Sequence, residues 1–119
     1  MALEASIEVS VLRELFRNLQ AFRAIYESEG VDTLISEDGS EWCLWDVEYL
    51  YEQIGVLPRR QRQAIHFLVL NVKESDAAVV MGIAPTNPVG MYATEGLKKL
   101  IGMIDQGAFP RFRMARETA

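Results

Sequence analysis

The constraint that most narrows this chain is a helical pattern, a short break, and a second helical pattern. ESDAAVVMG ends on Gly82, a residue suited to a helix C-terminus. IAPTN reads as a turn, and PVGMYATEGLKKLIGMI opens on Pro88, which suits the first position of a helix. In that second segment Val89, Ala93, Leu97, Leu100, Ile101 and Ile104 recur at the three-four spacing of one buried face. Ala77 and Ala78 in the first segment are small enough for close helix packing. Two helices joined this tightly must cross and share a core.

The same periodicity extends upstream. LPRRQRQAIHFLVL places Pro58 at a helix start, then basic residues, then an apolar stripe of Ala64, Ile65, Leu68 and Val69, with NVK as a break. SIEVSVLRELFRNLQAFRAIYESEG predicts one amphipathic helix with Ser6 at its cap and Gly30 at its stop. Its apolar face is Val11, Leu12, Leu15, Phe16, Leu19, Phe22, Ile25 and Tyr26, with Arg13, Arg17 and Asn18 opposite, so the helix packs onto the domain. Between these, TLISEDGSEWCL carries the turn dipeptide Asp38-Gly39 between apolar flanks and predicts a short hairpin. WDVEYLYEQI returns to a helix with Val47, Leu50, Tyr51 and Ile54 on one side, and Trp45 is expected in the core. Trp42 could be core or a partner contact. The expected fold is mainly α: an N-terminal amphipathic helix and a short β-hairpin, followed by a helix-turn-helix. Residues 1–56 form an acidic N-terminal extension, 57–104 the helix-turn-helix and 105–119 a basic tail.

The net charge of −5 divides unevenly. Residues 1–57 hold three arginines (Arg13, Arg17, Arg23) against twelve acids, a net of −9. Residues 58–104 hold Arg59, Arg60, Arg62, Lys73, Lys98 and Lys99 against Glu74, Asp76 and Glu95, a net of +3, and the tail adds +1. Such asymmetry suggests two surfaces with two tasks. The tail FPRFRMAR reads either as an unstructured end or as extra phosphate contacts, with Phe112 stacked on a partner.

Other classes are disfavoured. Cys43 and His66 are each alone of their kind, which removes a disulfide framework and the usual zinc ligand sets. GIAPTNPVG lacks the lysine and spacing of a phosphate loop, His66 and Cys43 read as structural, and Glu48 and Glu52 as a solvated pair. An enzyme is therefore not expected, nor a cofactor. No run approaches the roughly 20 apolar residues of a membrane helix. MALEASIEVS has no basic start, so a soluble cytoplasmic protein is expected.

From Leu57 to Ile104 the run resembles the C-terminal, −35-reading domain of bacterial RNA polymerase sigma factors. The resemblance rests on Leu57-Pro58, Arg60-Gln61-Arg62, Ala77-Ala78, Met81-Gly82-Ile83, Ala84-Pro85 and Lys98-Lys99-Leu100, in order. Nothing before residue 57 matches the sigma layout. The resemblance implies a standalone sigma-like regulator of the sort found among small bacterial and phage proteins. Such a regulator would bind double-stranded DNA and act with RNA polymerase. Its first helix would cross the phosphates at Arg59, Arg60 and Arg62, contacts that carry affinity but no sequence information. Its second would lay Thr86, Asn87, Gly90, Met91 and Thr94 in the major groove, Asn87 suited to adenine and Met91 and Thr94 to thymine methyls, with Lys98 also among the DNA-binding residues.

Sigma recognition helices carry Lys or Arg where this chain has Gly90, Tyr92 and Glu95, and Lys73 stands where Ser or Thr normally caps. One extra residue falls around Thr86–Pro88. Gly90 and Gly96 each weaken a helix by roughly 1 kcal/mol relative to alanine, or allow another segment to approach closely. These departures imply weak DNA binding by the chain alone. Two other tasks fit the same scaffold: a phage small terminase subunit, working as a ring-shaped homo-oligomer, and an adaptor or anti-sigma-like factor that binds protein only.

Overall fold

The computed structural model describes residues 7–83 and 89–108. Six helices and one hairpin make up the fold: α1 Val9–Arg17, α2 Leu19–Glu29, β1 Thr33–Ile35, β2 Glu41–Cys43, α3 Leu44–Glu52, α4 Arg59–Val69, α5 Glu74–Met81 and α6 Val89–Asp105. A 3₁₀ turn, Gln53–Val56, joins α3 to α4. The chain is thus mainly α with a small two-stranded antiparallel sheet. Among the described residues, no helix is long and apolar enough to cross a membrane.

The single N-terminal helix expected from periodicity is two helices that meet at Asn18. That residue has φ −100° and ψ 9°, outside the helical range, while its N–H still reaches the Glu14 carbonyl and its carbonyl accepts from Phe22. Asparagine holds a helix poorly. The bend lets α1 lie on α4 and α6 while α2 packs on α3. The apolar stripe also fades along α2, where Ile25 and Tyr26 are exposed. The expected stop at Gly30 is present: it lies in the left-handed region and its N–H reaches the Tyr26 carbonyl. The Ser6 cap lies outside the described residues.

The hairpin pairs Thr33 with Cys43, Leu34 with Trp42 and Ile35 with Glu41. Its loop is longer than a two-residue Asp-Gly turn. A β-turn over Glu37 and Asp38 is closed by Gly39 N–H on the Ser36 carbonyl, and Ser36 N–H bonds back to the Ser40 carbonyl. The Asp38 carboxylate accepts from the Ser36 hydroxyl and from the Ser40 N–H and hydroxyl, at 3.0 and 2.6 Å for Ser40. Those donors, Ser36 foremost, hold its pKa down at about 2.

Trp45, expected in the core, lies at the surface, and Trp42, for which core and partner contact were both open, lies in the core. Trp42, on β2, is 1% exposed and donates its ring N–H to Ser40 Oγ at 2.9 Å. Trp45 is 48% exposed. The reason is helical phase. Leu44, Val47, Leu50 and Ile54 point inward, and Trp45, one residue on from Leu44, is carried to the surface, where it meets Tyr26 edge to face at 5.2 Å. Tyr51, expected on the inward side, is only half-buried. Arg23 ties the same pair of helices, giving two hydrogen bonds of 2.5 and 2.7 Å to the Glu48 carboxylate. That carboxylate raises the Arg23 pKa above its ordinary value.

A single hydrophobic cluster runs from Val11 to Ile104, with Leu12, Phe16, Leu19, Trp42, Leu44, Leu50, Ile65, Leu97 and Leu100 fully buried. It crosses the charge boundary near residue 57, so the acidic and basic halves share one core. Pro58 stands just ahead of α4 as its cap residue, and its carbonyl accepts the Arg62 N–H. The α4–α5 connection turns at Asn71, with a positive φ of 59°. Gly82 closes α5 at φ 71°, with its own N–H on the Val79 carbonyl and Ile83 N–H on the Ala78 carbonyl. That paired bonding needs a left-handed residue, which glycine adopts at no steric cost.

Candidate nucleic-acid interface

The site is organised by how closely α4 lies on α6. At Gly96, a Cβ would sit 2.8 Å from Ile65 Cδ1, 3.2 Å from Gln61 Cβ and 3.3 Å from Leu57 Cδ1. Glycine here serves close approach. Val89, Ala93, Gly96, Leu97, Leu100, Ile101 and Ile104 are the buried face of α6, which leaves Met91, Glu95, Lys98 and Lys99 as its exposed ridge. Met91 is 58% exposed.

Arg60 joins that ridge from α4. Its guanidinium lies 5.8 Å from the centre of the Tyr92 ring and donates to the Tyr92 hydroxyl at 3.3 Å. Arg59 is exposed beside it at the start of α4. Arg62 goes elsewhere. It is partly buried and donates to the Gly55 carbonyl at 3.3 Å, on the side of the turn before α4. Gln61, between the two arginines, faces α6 at Gly96. Positions 60 and 62 are about 200° apart around a helix, so they flank α4 rather than share a face. Of the three arginines expected on the phosphates, Arg60 meets α6, at Tyr92.

On the other flank of α6, Thr94 is partly covered by the N-terminal helix. It donates to the Gly90 carbonyl at 2.8 Å and accepts from the Arg13 guanidinium. Its hydroxyl is thus occupied. Gly90 donates its backbone N–H to Glu74 Oε1 at 3.1 Å, so a carboxylate from α5 satisfies a donor in the first turn of α6. Lys73 is the cap residue of α5 and provides no side-chain hydrogen bond, as its place in the sequence suggests. Arg59, Lys98 and Lys99 are exposed and have no hydrogen-bond or ion-pair partner among the described residues. Thr86, Asn87, Pro85 and Pro88 lie outside the described residues, as does Phe112 of the tail.

A groove of about 810 Å³ runs beside this flank. Phe67, Leu68, Val72 and Ala93 supply apolar lining, and Arg13, Arg17, Lys73 and Lys98 line it together with Glu74 and Glu95. The two arginines come from α1, and sequence reasoning had placed them only on the polar side of a helix. No local pattern could have found them, because Arg13 and Thr94 are 81 residues apart.

His66, read as structural, pairs with Tyr51. It is exposed, stacks on Tyr51 with the rings 10° apart, and its Nδ1 lies 2.5 Å from the Tyr51 hydroxyl. Burial pushes the Tyr51 phenol above its ordinary pKa. Cys43 is half-buried at the end of β2. Among the described residues, no group of three or more His, Cys, Asp or Glu side chains comes together to hold a metal ion.

Comparison with known protein families, with characterised proteins and with solved structures finds no match.

Proposed function

We propose that this chain is a small sigma-like transcription regulator that binds double-stranded DNA through the ridge of α6 and the arginines at the start of α4. The carrying observation is the contact of Arg60 with Tyr92, which joins a backbone-neutralising cation to the helix expected in the major groove. Lys98 and Lys99 are exposed on the same ridge and Arg59 at the start of α4, and they supply sequence-independent attraction to the phosphates. Met91 offers an apolar tip for thymine methyls. Glu95 on the ridge and Glu74 at the start of α6 oppose that attraction, so binding by the chain alone is weak and a partner completes it. RNA polymerase is that partner in this reading, and the cytoplasm the place.

The exposed Tyr26–Trp45 pair, far in sequence from α6, favours a second reading in which the acidic half holds a protein. Large aromatics are enriched where protein partners dock.

The test is a titration of labelled random and promoter-like duplexes at several salt concentrations, with and without RNA polymerase. Arg60→Ala weakens binding to every sequence and lowers the salt slope by about one unit. Arg62→Ala, whose side chain points to Gly55, leaves the slope unchanged. Equal losses from the two would remove the assignment of the α6 ridge as the DNA face. No DNA binding with or without polymerase would end the transcription reading and leave the protein-only one.

A further inference from the structure

The N-terminal helix sorts its charges by side. Arg13 and Arg17 line the groove beside α6, whereas Glu8 and Glu14 line a separate recess against the hairpin, together with Glu37 and Asp38. The half of the chain that is most acidic therefore turns two of its three arginines toward the α6 ridge. Arg13 is bonded to Thr94, which fixes α1 against that flank of α6. Arg17, one helical turn on, is half-exposed. Its ion pair is with Glu14 at 3.7 Å, between two side chains that are each about half-exposed. A pair of that kind is worth little and gives way readily to a stronger anion.

On the opposite flank of the ridge stands Arg60, against Tyr92. The exposed ridge of α6 thus lies between Arg60 of α4 and the two arginines of α1. A helix with its side chains is about 10–12 Å across, and the major groove is about 12 Å wide with a phosphate strand along each edge. A ridge seated in the groove meets both edges.

We infer that α1 is a second phosphate-contact arm: Arg17 neutralises a backbone phosphate on the strand across the major groove from the one met by Arg60. This inference rests on the DNA-binding reading of the α6 ridge. It gives the acidic N-terminal half a direct role in holding DNA, and makes the grip two-sided where a helix-turn-helix alone would lean on the α4 flank.

The experiment uses the full chain with a labelled random duplex, and with RNA polymerase present if the chain alone binds too weakly to measure. Arg17→Ala, Arg17→Lys, Arg60→Ala and the Arg17→Ala/Arg60→Ala pair are compared across a salt series, with phosphate-ethylation interference to show which strand is held. One lost phosphate contact lowers the salt slope by about 0.9, which corresponds to roughly eightfold in affinity at 0.1 M salt relative to 1 M. Arg17→Ala shows that loss and Arg17→Lys retains most of the binding. The double variant loses both contacts, and ethylation interference disappears from one strand only in Arg17→Ala. If Arg60→Ala loses a contact while Arg17→Ala binds like the parent, the arm is overturned and the DNA reading stands. If Arg17→Ala keeps DNA but loses polymerase, the groove belongs to an acidic protein segment and the arm is again overturned. If the parent binds DNA under neither condition, both readings fall together.

Discussion

Replacing Gly96 with alanine sets two effects of similar size against each other. In the middle of α6, alanine is favoured over glycine by about 0.8–1.0 kcal/mol of helix propensity. Gly102, in the same helix with nothing within 4 Å of its added Cβ, isolates that gain. At Gly96 the new methyl meets Ile65 Cδ1 at 2.8 Å, well inside contact distance, and Gln61 Cβ and Leu57 Cδ1 at 3.2 and 3.3 Å. Ile65 is fully buried and Leu57 nearly so, so neither can swing into solvent. Extra methyls in a packed core cost roughly 1–3 kcal/mol. Gly96→Ala should therefore stand about 1–3 kcal/mol below Gly102→Ala. At about 4 °C per kcal/mol for a chain of this size, the two melting temperatures separate by about 4–12 °C. Thermal and urea unfolding of the parent and both variants measure the gap. A Gly96→Ala protein as stable as Gly102→Ala would refute the close approach of α4 to α6. With it would go the reason that Arg60 meets Tyr92, since the same packing sets that contact.

The two tryptophans separate buried from surface chemistry. Trp42→Ala, made at a 1% exposed site, should cost about 3–5 kcal/mol, whereas Trp45→Ala should cost under about 1 kcal/mol, because half the ring is already in water. Iodide should quench only the Trp45 emission, and quenching of both would contradict the burial of Trp42. Asp38 carries a pH signature: its folded pKa of about 2 lies below its ordinary value, so its hairpin contribution is complete above pH ~4 and is lost as pH falls through 2. A carboxyl titration of Asp38 by NMR, in parent and Ser36→Ala proteins, should show the midpoint rise in the variant. No rise would leave the hydroxyl contact without effect on the charge.

Local chemistry made the helix stops and the hairpin legible. Gly30 and Gly82 adopt the left-handed conformation that ends a helix, and Asp38-Gly39 makes the hairpin loop. The apolar face of α6 was readable position by position, because period and burial coincide over 17 residues. What periodicity could not give was phase at a helix start. One residue of offset sends Leu44 inward and Trp45 out. The separation of Arg60 from Arg62 was in the spacing all along, since two residues on a helix point to opposite flanks. The side of α6 that α1 covers had no such signal: the pairing of Arg13 with Thr94 is a choice of the tertiary fold. The bend at Asn18 was hidden because the apolar stripe continues through it, with Phe16 and Leu19 both fully buried.

A core that passes from Val11 to Ile104 also limits how this chain can be divided or recombined. Leu12, Phe16 and Leu19 fill space against the same interior as Ile65, Leu97 and Leu100. A graft of residues 57–104 into another protein would leave behind part of its own filling, and the recipient would have to supply large side chains where α1 now lies. The α6 ridge and the helix beside it can therefore be inherited, fused or redesigned only as one piece.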